Sequence, residues 1–159
     1  MDNLFKKQFK KNTIGIIEVL DHYVYTIQRY PDIKCNCLST ASSDAEPKCP
    51  KCLGTGRKIK IKKVKAACQE SSIPTTVRSA TTFLITRNYY IRSTDKLAQD
   101  DLIVDNDGIF VVTQEGQYWQ FDGEEVYQKC NTVPKKNDVK AFKDNFVKIV
   151  GHNCFNVNT

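Results

Sequence analysis

The residues best suited to chemistry in this chain are four cysteines between positions 35 and 52. They read Cys35-Asn36-Cys37, then an interval of eleven residues, then Cys49-Pro50-Lys51-Cys52-Leu53-Gly54-Thr55-Gly56. On an extended backbone, positions i and i+2 point the same way, so Cys35 and Cys37 can present both sulfurs to one face. Cys49 to Cys52 can wrap a tight turn around an ion, and Gly54 and Gly56 can take the positive φ angles needed to leave it. Four thiolates close a tetrahedral sphere, so the expected ligands are Cys35, Cys37, Cys49 and Cys52 on one structural zinc ion, with no place for a substrate. A redox Cys-x-x-Cys pair would leave Cys35 and Cys37 unused, and no thioredoxin-like βαβ pattern surrounds it. A pair of disulfides is the other rival. Cys68, Cys130 and Cys154 read as single, mostly buried small hydrophobes. His22 and His152 are isolated and read as surface or satisfied core residues.

The elements that must position these sulfurs belong to a chain of 159 residues with a net charge of +6. That length supports one domain, or one domain with an appendage, and a real core. Seven cysteines, no N-terminal apolar run and no membrane-length apolar stretch suggest thiols kept reduced in a cytoplasm. The modest positive charge permits contact with nucleic acid or an acidic surface without requiring either.

Residues 1–12 read as a short amphipathic helix carrying Leu4, Phe5 and Phe9, or as an arm that orders against a partner. Thr13 can cap a following helix through Leu20. From Tyr23 the period changes to two, predicting a strand that Pro31 stops. The interval from Leu38 to Lys48 has loop composition. After Gly56, Ile59 and Ile61 alternate with Lys58, Lys60 and Lys62, and the pattern slips at Lys62-Lys63, where a β-bulge would restore the register. The lysine row is either a guarded strand edge or a positive surface for DNA phosphates or an acidic partner. No aromatic residue interleaves with it in sequence, which counts against base stacking.

Residues 68–81, polar and containing Pro74, read as a long loop. Strands are expected at 81–91, 102–104, 109–113, 118–121 and 126–133, with Gly-containing turns between the later ones. Asp105-Asn106-Asp107-Gly108 lacks the remainder of a calcium loop. Trp119, Tyr118 and Phe121 suggest barrel core or a subunit contact. Past Pro134, Val139, Phe142, Phe146 and Ile149 fit a helix with Asp138 as its cap, although 146–150 could equally be a last strand, and the final nine residues read as a tail. The expected fold is therefore mainly β with short helices (α+β): a small antiparallel barrel or sandwich, an N-terminal helix and a zinc-knuckle hairpin insertion. Three segments follow from this: an arm, helix and first strand (1–30), the cysteine hairpin (31–66), and the meander with its C-terminal extension (67–159).

No phosphate loop, nucleophile elbow or His-Glu metal signature is present, so no enzyme is expected. Two stretches carry a resemblance. The cysteine segment with Gly54-Thr55-Gly56, and Lys96 to Val112 with its Asp-Leu-Ile-Val-Asp-Asn-Asp-Gly core, together resemble neck proteins of tailed bacteriophages, including those of crAss-like phages. These are head–tail connector, stopper or tail-ring subunits. The resemblance covers about half the chain. It implies a virion protein, assembled in the bacterial host cytoplasm, forming a homo-oligomeric ring with a β-barrel core. Its partners would be the portal or adjacent neck and tail rings around the DNA channel. Contact with that DNA through Lys58, Lys60 and Lys62 is one expectation, and no membrane is involved. The competing readings are a zinc-ribbon nucleic-acid binder and, lower in rank, a chaperone-type cysteine module, which would repeat its motif.

Overall fold

A computed structural model describes residues 22–38, 45–77, 80–113, 117–121 and 124–155. The expected N-terminal helices, the middle of the cysteine interval, and the turns at Glu115-Gly116 and Asp122-Gly123 lie outside the described residues. Seven strands are present: β1 (His22–Lys34), β2 (Arg57–Val77), β3 (Ala80–Arg92), β4 (Leu102–Asp105), β5 (Gly108–Val112), β6 (Gln117–Phe121) and β7 (Glu124–Pro134). One helix, α1 (Val139–Val150), follows them. The strands join in the order β3-β2-β1-β4-β5-β7-β6, and β3 also pairs with β7. That extra pairing closes six antiparallel strands into a barrel and leaves β6 outside it, beside β7. Closure removes open strand edges from the ring of six.

Alternation along each strand sorts the apolar residues into two cores. Val24, Val64, Ala66, Tyr89, Ile91, Ile103, Phe110, Val112 and Cys130 fill the barrel, together with Leu97 from the connection after β3. Ile27, Leu102, Val104 and Ile109 face outward and are covered by Phe142 and Phe146 of α1. One end of the barrel is plugged by a polar exchange. Gln128, fully buried, accepts from the Leu97 N–H at 2.9 Å and donates to the Leu97 carbonyl at 2.7 Å. Both backbone groups, cut off from water, are thereby satisfied.

The two cores explain the slip in the lysine strand. Ile59 and Ile61 pack on the α1 side, whereas Val64 and Ala66 point into the barrel. Register between β1 and β2 runs unbroken from His22–Ala66 to Arg29–Ile59, so the expected bulge at Lys62-Lys63 is absent. The strand simply passes from one core to the other. Nor does Pro31 end β1. The strand continues to Lys34, although its pairing with β2 shifts between Arg29 and Lys34.

The expected long loop at 68–81 is also corrected. Residues 68–77 of β2 pair with 80–89 of β3 in continuous register. Beyond Arg87 the two strands pair with no other described strand, so a two-stranded ribbon leaves the barrel. Such a ribbon keeps an open edge, which tolerates Pro74 opposite Phe83.

Helix α1 settles the ambiguity at 146–150 in favour of helix. Asp138 stands at its N-cap position in a left-handed conformation and makes no side-chain cap; its carbonyl accepts the Phe142 N–H instead. Residues 151–155 are more than a tail, since Cys154 and Phe155 pack against the outer core and Phe155 meets Phe146 at 6.2 Å between ring centroids. No described helix is long and apolar enough to cross a membrane.

Candidate metal centre

The cysteine segment is the connection between β1 and β2. Its base is closed by the Cys35 N–H donating to the Gly56 carbonyl at 3.0 Å, one step beyond the last strand pair, Lys34–Arg57. Cys35 and Cys37 do not lie on an extended strand as expected. The Leu38 N–H returns to the Cys35 carbonyl at 3.2 Å, so the pair occupies a turn. The second pair forms another turn, with Leu53 N–H bonded to the Cys49 carbonyl at 3.0 Å.

These two turns bring all four sulfurs within 4.8 Å of one another. The Cys35–Cys49 and Cys37–Cys52 sulfur separations are 3.9 and 3.5 Å. Four sulfurs at about 2.3 Å from a common centre would stand about 3.8 Å apart along each tetrahedral edge. A disulfide needs about 2.05 Å, so these thiols are unlinked. The donor set and its spacing thus suit a single soft cation.

Protein groups around the sulfurs favour negative charge there. The Gly56 N–H donates to the Cys52 sulfur at 3.4 Å. Burial raises the Cys49 thiol, yet hydrogen bonds from the Cys52 and Lys51 backbone outweigh it and bring Cys49 down to about 7. Cys52 is pushed up to about 12, chiefly by burial and only partly relieved by the Gly56 N–H. Cys37 accepts from the Glu46 backbone, which lowers it, but burial and the neighbouring thiols leave it raised. Four thiols this close cannot all ionise without a cation, so metal uptake must release protons.

Backbone geometry follows the expectation at both glycines. Gly54 and Gly56 have φ of 84° and 74°. A Cβ on Gly54 would stand 2.9 Å from the Pro47 carbonyl oxygen.

Leu53 is the residue that sequence reasoning missed. It holds a positive φ of 54°, uncommon for a branched side chain, and is 2 % exposed. Its side chain joins Ile27, Phe142 and Phe146 in the outer core. The knuckle is therefore pinned to α1 by an apolar anchor, and Asn145 adds a bond from its amide to the Lys48 carbonyl at 3.2 Å. A lone large apolar residue in an otherwise polar loop was the available signal.

Lys58, Lys60 and Lys62 share one face of β2, as their spacing predicts, and all three are exposed. Lys62 pairs with Asp95, and the Lys58 ammonium lies 5.6 Å from the Tyr30 ring centroid. Of the other cysteines, Cys130 is buried as expected and Cys154 half-buried, while Cys68 is exposed. His22 bonds both oxygens of the Asp105 carboxylate, at 3.0 and 2.9 Å, and His152 accepts from the Tyr25 hydroxyl at 3.2 Å. Asp105 also accepts from Tyr89 at 2.9 Å, and Asp107 pairs with Arg87. The side chains of Trp119 and Phe121 lie outside the described residues.

No family model matches the chain, and no curated protein matches it.

Proposed function

We propose that this chain is a non-enzymatic structural subunit, a ring-forming component of a tailed-phage neck, whose four cysteines hold a structural zinc ion. The observation that carries the proposal is the division of labour between barrel and projections. A closed barrel with its own core supports two excursions, the cysteine knuckle and the β2–β3 ribbon, and neither adds to the barrel core. Projections of this kind can reach neighbouring copies in a head-to-tail ring while the barrel stays rigid. Zinc is favoured by four thiolates in a closed arrangement, and when bound it would lock the two turns together.

Two measurements test this reading. Metal analysis of protein purified under reducing conditions should find one zinc per chain, lost on Cys52→Ser with affinity falling by more than the ~10–100-fold typical of losing an outer-shell partner. Electron microscopy of the metal-loaded protein, alone and with a portal ring, should show closed rings or docked subunits. A strictly monomeric protein that ignores portal assemblies sinks the neck reading, while leaving the metal assignment intact.

A further inference from the structure

The aromatic residues missing from the lysine strand in sequence are supplied across the sheet by β1. Tyr23 pairs with Lys65, and Tyr25 with Lys63. The Lys63 and Lys65 ammonium groups lie 5.0 and 5.3 Å from the Tyr23 ring centroid, and Tyr23 remains 57 % exposed. These residues border an open groove of about 400 Å³ where β3 turns away from β2. Its charged lining comprises Lys62, Lys63, Lys65 and Arg92 against one carboxylate, Asp95, which Lys62 already engages.

We propose that this groove binds single-stranded nucleic acid, with the phosphates following Lys63, Lys65 and Arg92 and a base stacking on Tyr23. A groove with three cations in excess attracts a polyanion, and an exposed ring among them offers a surface for a base face. Lys63 and Lys65 are two residues apart on a strand, a step of about 6.7 Å that suits successive phosphates of an unstacked strand. Duplex DNA keeps its base faces stacked inside and cannot use the tyrosine. The site lies away from the Lys58–Lys60 stretch of the row, and it does not depend on the ring-forming role.

The test is fluorescence anisotropy of a labelled oligothymidylate with the metal-loaded full chain, titrated across salt concentrations. Tyr23→Leu should weaken binding by about 5- to 150-fold, and Tyr23→Phe should preserve it. Lys63→Glu with Lys65→Glu should reduce the slope of log affinity against log salt by about 1.4, at about 0.7 per single-strand phosphate contact. Circular dichroism melts check that each variant folds, and the double lysine variant tests the groove even where Tyr23→Leu does not fold. The proposal is overturned by an oligonucleotide that does not bind at low salt. It is equally overturned by a Tyr23→Leu protein that folds and binds like the wild type, or by a duplex of equal length that binds as tightly. Failure of ring formation leaves this result unaffected, so the two readings fail separately.

Discussion

Two residues show how local geometry sets the tolerance of the structure. Gly54 combines φ of 84° with a carbonyl oxygen 2.9 Å from where a Cβ would stand, so a methyl group meets both backbone strain and a rigid obstacle. Gly54→Ala should destabilise the knuckle by about 1–2 kcal/mol from handedness alone, with the clash adding to it. Competition with a chromogenic chelator should read this as weaker metal retention, and unchanged retention would count against the turn geometry. Asp107 illustrates electrostatic linkage. Its hydrogen bonds to Arg87 hold its carboxyl below the usual carboxylate range, against an opposing but smaller effect of burial. A depressed folded-state value means that the stabilisation is complete above the unfolded value, near 4, and is lost as pH falls through the lower folded value. Denaturant melts should therefore show a gap between wild type and Asp107→Asn that is constant above about pH 5 and shrinks below about pH 4. A gap that persists unchanged into strong acid removes this pair from the acid response.

At the scale of elements, Leu53 couples the metal loop to the helix. It is buried against Phe142 and Phe146 although its neighbours in sequence are polar or glycine. Leu53→Ala should cost about 2–5 kcal/mol, as other buried leucine truncations do, and should lower both the thermal midpoint and metal affinity. If only the thermal midpoint moves, the leucine belongs to the helix core alone and the coupling is absent. The four ligands were legible because Cys-x-Cys and Cys-x-x-Cys are local spacings, and most strands were legible because they alternate between turn residues. What sequence could not disclose came from contacts between distant segments. The slip at Lys62-Lys63 resembled a bulge because one strand serves two cores in succession, and periodicity records only that the apolar face changes. The segment 68–77 resembled a loop because it pairs with a single described partner, β3, beyond the barrel, where polar residues and Pro74 carry little penalty. Tyr23 lay forty residues from the lysines it joins, so the groove existed only once β1 and β2 were in register.

For the whole molecule, the partition of the two cores decides what metal loss does. The barrel interior contains no residue from the knuckle, whereas the outer core contains Leu53 and receives Phe142 and Phe146 from α1. Removing the cation leaves four close thiols to separate, with burial opposing ionisation of Cys52 in particular. The knuckle then loses the interaction that holds its two turns together, and Leu53 loses its fixed position. Opening should spread from residues 45–56 into α1 and stop at the barrel wall, because proteins open in cooperative units bounded by dense packing. Hydrogen exchange with chelator and reductant should accordingly raise exchange at 45–56 and 139–150 while sparing the amides of 102–105, 109–112 and 128–132. Re-addition of zinc should restore protection in both affected segments. A barrel whose central amides exchange at the same rate as the knuckle would mean that the cation supports the entire fold, and the division into a self-sufficient barrel and a metal-locked projection would have to be abandoned.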